Sequence, residues 1–184
     1  MAALPGRGQQ LTYHLGMSAA ILSDAFGHHT WATLQLIDAC ARLEEHQLRV
    51  GVPGVYGSIL ETLRHLVGAD CSYLRVTAGG HDVIDEASAE LPDLRREMEA
   101  HERAWRQLLS QDLDGDTWLV RHRPDGSETH ATLGIRLAQA LHHGTDHRSQ
   151  ICTVLTQQGI VPPEMDVWEY GLVHARTRRT EATA

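Results

Sequence analysis

Between Leu133 and Gly159 the chain runs LGIRLAQALHHGTDHRSQICTVLTQQG, and this stretch limits the choice of fold more than any other. Leu133, Leu137, Leu141, Gly144, Ile151 and Leu155 recur at helical spacing, and Gly159 followed by Pro162 and Pro163 supplies a stop. The pattern predicts one long helix. Leu133, Leu137, Gly144, Ile151 and Leu155 share its apolar sector, while His143 and His147 lie on the flank with Ala140 and Val154. Both imidazoles can therefore look into a groove between helices. At i, i+4 spacing they project from one side a turn apart, which a single metal ion can bridge.

Composition agrees with a helical chain. Its 184 residues suffice for one domain with a sizeable core, and Ala, Leu, Glu, Arg and Gln are plentiful beside a single Phe, so an all-α bundle is expected. The formal charge of −8, with both signs interspersed, provides no basic stripe for nucleic acid or an anionic membrane surface. Cys40, Cys71 and Cys152 sit inside apolar helical patterns and form no CxxC pair, so they read as small core residues. With no signal peptide and no apolar span of about 20 residues, the expected location is cytoplasmic.

In chain order, residues 1–22 read as a loose arm with His14 exposed, 23–176 as a single domain and 177–184 as a frayed tail. Ser23 to Gln47 is the predicted first helix, with Trp31, Leu34, Ile37, Ala41 and Leu48 along one face and Gly51 to Gly54 ending it. His28 and His29, in its opening turns, read as surface residues. A second helix, from about Tyr56 to Thr77, starts with Ser58 and Glu61 in capping-box spacing and carries the stripe Ile59, Leu60, Leu63, Leu66, Val67 and Leu74. His65 lies off that stripe, so periodicity alone puts it outside. His81 to Glu90 is a polar crossover, and Leu91 to Ser110 a third helix whose charges and His101 read as a solvated face. Thr117 to Thr132 reads as a short β-hairpin turning at Asp125-Gly126, ahead of the long helix, and Pro163 to about Arg176 as a short last one.

The run QALHHGTDHRSQICTVLTQQGIVPPEMDVWEY resembles the C-terminal signature of the DinB/YfiT-like superfamily: a His, three residues, then HRxQ, an apolar helix, LxxxG, a Pro-containing link and an acidic-aromatic helix. ILETLRHLVGADCSYL is similar to that family's other signature, and Trp31-Ala32-Thr33 with Leu36 and Ala39 to its first helix. The resemblance implies a four-helix bundle with a long crossover between its second and third helices, a homodimer, and one divalent metal held by His65, His143 and His147. For His65 it overrules the periodicity. Ser149 stands where the family often has Gly after the HR pair.

Three neutral imidazoles suit Zn, Ni or Fe, and leave a position for water or substrate as in catalytic sites. Asp70, Asp146 and Gln150 are candidates for orienting the rings, and Arg148 for pairing with a carboxylate or a substrate anion. The bland alternative is a bundle whose imidazoles merely hydrogen-bond one another and water. Three functions remain open: a transferase or isomerase that activates a low-molecular-weight thiol toward a small-molecule substrate, as the family's mycothiol- and bacillithiol-dependent enzymes do by resemblance; a metal-dependent hydrolase; or a non-catalytic, stress-related metal-binding protein.

Overall fold

Helix starts and stops lie where the chain carries capping residues. The Ser58 hydroxyl accepts the Glu61 N–H while the Glu61 carboxylate accepts the Ser58 N–H, opening a helix over Ile59–Thr77. Thr132 caps Leu133–Gln157 and Asp166 caps Val167–Val173. Gly159, at φ +74°, ends the long helix as expected. The computed structural model describes residues 7–80 and 83–180, with side chains from residue 19 onward. Its elements are α1 (Arg7–Cys40), α2 (Glu45–Leu48), α3 (Ile59–Thr77), α4 (Leu91–Leu109), β1 (Trp118–His122), β2 (Glu128–Thr132), α5 (Leu133–Gln157) and α6 (Val167–Val173). The protein is mostly helical, and no described helix is long and apolar enough to cross a membrane.

The expected hairpin is present. β1 and β2 pair antiparallel from Trp118 opposite Thr132 to His122 opposite Glu128, and Gly126 takes φ +83° in the turn. The first helix differs from expectation at both ends. It starts at Arg7, so most of the predicted arm is helical: Gly8 and Gly16 cost about 1 kcal/mol each, too little to interrupt a chain otherwise rich in Gln, Leu and Ala. It stops at Cys40 because Glu44 begins a new helix, its N–H donating to Gln47 Oε1 at 2.9 Å. Its buried face also differs, running through Phe26, His29, Thr30, Thr33, Ile37 and Cys40, whereas Ala41 is exposed. Residues 1–6 and 181–184 and the side chain of His14 lie outside the described residues. Thr177, placed in the predicted tail, is held by its N–H to Gly171 O at 2.9 Å.

α1 packs on α4 and α5, and α3 packs on the same two helices. The apolar side chains between them form two clusters. One gathers Leu36, Ile37, Leu63, Leu66, Val67, Leu94, Met98, Ile151 and Leu155; the other Phe26, Leu74, Trp105, Leu108, Leu133, Leu137 and Ala140. Each of these four helices carries buried polar side chains between the two clusters: His29, Thr30 and Thr33 on α1, beside Ala32; Asp70 on α3, beside Cys71; His101 on α4; His147 and Arg148 on α5. The interior is thus crossed by a polar layer. Burying polar groups without partners costs several kcal/mol, and the layer is accordingly cross-bonded.

Candidate metal centre

Three rings meet at the open edge of that layer. α5 delivers His143 and His147 from adjacent turns, and α3 delivers His65 from across the groove. His143 Nε2 lies 3.2 Å from His65 Nε2 and 3.1 Å from His147 Nε2. Nitrogens bound to a tetrahedral ion at about 2.0–2.1 Å stand roughly 3.3 Å apart, so the rings already have the spacing of ligands.

Their outer nitrogens fix the protons. Gln150 Oε1 accepts the Tyr56 backbone N–H at 3.0 Å, which sets the orientation of the amide, and the same oxygen lies 3.1 Å from His147 Nδ1. His147 Nδ1 must therefore donate. His65 Nδ1 faces Glu86 Oε2 at 3.3 Å, and a carboxylate can only accept. In its neutral form each ring then turns an unprotonated Nε2 inward, toward the Nε2 of His143. Burial first, then the neighbouring His147 and His65, pushes the His143 pKa down to about 4, and burial lowers that of His147 too. Neutral imidazoles directed at one point are what a cation requires.

Sequence reasoning missed two contributors. Tyr56 stacks on the His65 ring at 4.2 Å and 10°, although it stands in a loop ahead of α3. Glu86 comes from the crossover, and a Cβ on Gly68 would collide with its side chain, so the glycine makes room for it. Neither carries a local signal beyond its chemistry. A recess of 430 Å³ is lined by Tyr56, Gly57, Glu61, Glu86 and Ala87, of which Tyr56 and Glu86 touch His65.

Of the three residues expected to orient the rings, Gln150 touches one. Asp146 is exposed and acts on His147 through its charge. Asp70 makes its hydrogen bond elsewhere, to His29 Nε2 at 2.8 Å, and Arg148 Nη1 reaches His29 Nδ1 at 3.0 Å and Thr33 Oγ1 at 3.1 Å. His29, expected on the surface, is 1% exposed, and His101, expected on a solvated face, is 0% exposed. His28 is half-buried, its Nε2 donating to Met165 O at 2.9 Å. Burial opposes ionisation of Asp70, but His29 and then His101 outweigh it and hold the carboxyl below its ordinary value. For His101 burial again works downward, while Cys71, Glu97 and Asp70 carry the ring up to about 9. Burial takes Arg148 down to about 10 and Cys40 up to about 12, which leaves that thiol an inert core residue.

The family model for the DinB family matches residues 17–178. The chain belongs to the DinB family. It is also similar to Protein DinB of Bacillus subtilis (strain 168), 23% identical over 169 residues that cover 85% of this chain and 95% of the relative. The matched span contains all three inward-facing histidines, Gln150, Tyr56 and Glu86, so the geometry described above lies wholly within the family domain.

Proposed function

We propose that this DinB-family protein is a four-helix bundle that holds one divalent ion on His65, His143 and His147 and uses it to activate a small nucleophile, a low-molecular-weight thiol in the preferred reading. The observation that carries this is the convergence of three Nε2 atoms, two with their protons committed outward to Glu86 and Gln150. An ion there would lower the pKa of a thiol or water placed beside it. Gln150 and Glu86 hold the tautomers, and Tyr56 covers one face of His65 while the adjoining recess leaves room for a small-molecule substrate. A hydrolase would need a general base as well, and the carboxylate that touches the rings, Glu86, is already engaged by His65 Nδ1.

Metal content of the purified protein, compared with that of His147→Ala, tests the site. One equivalent should be lost; an unchanged metal-to-protein ratio refutes it. Thiol-dependent turnover of electrophiles tests the reaction, and equal rates before and after chelation would reject the thiol reading. The proposed assembly is a homodimer, which light scattering of the eluted protein would show as twice the 20.4 kDa chain mass.

A further inference from the structure

A second set of metal-type donors lies on the same polar layer and takes no part in the three-His cluster. Cys71 on α3 faces Glu97 and His101 on α4. The Cys71 Sγ is 3.2 Å from His101 Nε2 and 3.7 Å from Glu97 Oε1, and His101 Nε2 is 3.4 Å from that same oxygen. The geometry points to a second divalent-cation site, of zinc type, held by Cys71, Glu97 and His101 and independent of the three-His centre.

The spacing fits. With sulfur at about 2.3 Å and nitrogen and oxygen at about 2.0–2.2 Å from a tetrahedral ion, donors stand roughly 3.4–3.6 Å apart. The three observed separations straddle that range, so small side-chain adjustments close the site. The donor types fit as well, since a thiolate with an imidazole and a carboxylate forms a borderline-soft set that selects zinc over magnesium or calcium.

Support from behind the ligands is also present. The other nitrogen of His101, Nδ1, looks at Asp70 Oδ2 from 3.8 Å, and Asp70 is itself anchored by His29 at 2.8 Å. At 3.8 Å this is a charge contact; a shift of about 1 Å would make it the hydrogen bond by which a carboxylate orients a ligating imidazole and raises its basicity. Cys71 and His101 are 0% exposed, whereas the Glu97 side chain is 26% exposed and gives an ion its way in. Bound there, the ion ties α3 to α4 inside the core. Its binding displaces to solvent the Cys71 thiol proton and, below about 9, the proton that the His101 ring carries in the empty site, so affinity rises with pH.

Cobalt(II) serves as the probe, because a thiolate ligand gives it a near-ultraviolet charge-transfer band that imidazole ligands do not. In the His143→Ala/His147→Ala protein, which lacks the first centre, one equivalent of cobalt should still bind and produce the band. The band should survive Cys152→Ala and vanish with Cys71→Ala. Its absence from the parent variant, or its persistence without Cys71, overturns the proposal. If Cys71→Ala fails to fold by circular dichroism, Glu97→Gln decides: cobalt affinity should drop at least tenfold, and unchanged affinity overturns the site. The first centre is judged separately, by whether wild type binds one equivalent more than the double variant.

Discussion

The amide of Gln150 decides which nitrogen of His147 is offered to a cation. Because its oxygen also accepts the Tyr56 N–H, the side chain cannot flip to present its NH2 without breaking that bond. Gln150→Leu should therefore keep the fold and lower zinc affinity about 10–100-fold, the usual cost of losing a partner behind a metal ligand. Competition with a chromophoric chelator measures it, and an unaltered affinity would remove Gln150 from the site. Gln150 was within reach of sequence reasoning because it lies one turn beyond His147 on the same helix. His101 was legible too, and was misread. It falls on the stripe Leu94, Met98, His101, Trp105 and Leu108, all buried, but the charges around it suggested a wet face. Glu86 and Tyr56 were not legible: both come from loops, whose placement depends on tertiary contacts that periodicity does not encode.

At the scale of elements, the approach of α1 to α5 turns on Gly144. In an exposed helix Gly→Ala gains about 1 kcal/mol. Here the new methyl would enter the space of the His29 ring and the Arg148 guanidinium, both buried and both hydrogen-bonded. The ring cannot retreat without breaking its bond to Asp70. Overpacking of this kind costs about 1–3 kcal/mol, so Gly144→Ala should lower the midpoint of denaturant unfolding; a rise would mean that α1 can move away freely. The start of α3 makes the opposite comparison, a local device with no tertiary demand. Ser58→Ala removes a reciprocal cap and should cost about 1 kcal/mol by the same measurement. Such local devices explain why α3, α4, α5 and the hairpin were readable within a few residues. The extent of α1 was not, because Ser23, where the helix was expected to begin, lies inside it, and its buried face includes His29, Thr30 and Thr33, which a search for apolar periodicity passes over.

For the whole molecule, the polar layer makes stability depend on protons in two opposite senses. Without metal, the His143 ring titrates at about 4 when folded and near the ordinary imidazole value of 6.5 when unfolded, and His147 is lowered in the same direction. The unfolded chain then binds more protons between those values, so this contribution is complete above 6.5 and is lost as pH falls toward 4. His101 acts the other way. Its folded value of about 9 lies above 6.5, so its contribution is complete below 6.5 and disappears as pH rises through 9. Chelator-treated protein should therefore have its highest melting temperature near pH 6.5, falling on both sides. His143→Gln should flatten the acid limb and leave the alkaline one. Zinc at about 100 times its dissociation constant adds about 2.7 kcal/mol and, because protons compete for the same nitrogens, adds least on the acid side. Scanning calorimetry across this pH range, with and without zinc, reads all three effects. A melting temperature that climbs steadily from pH 4 to pH 9 in chelator would show that the layer does not govern stability as its geometry requires.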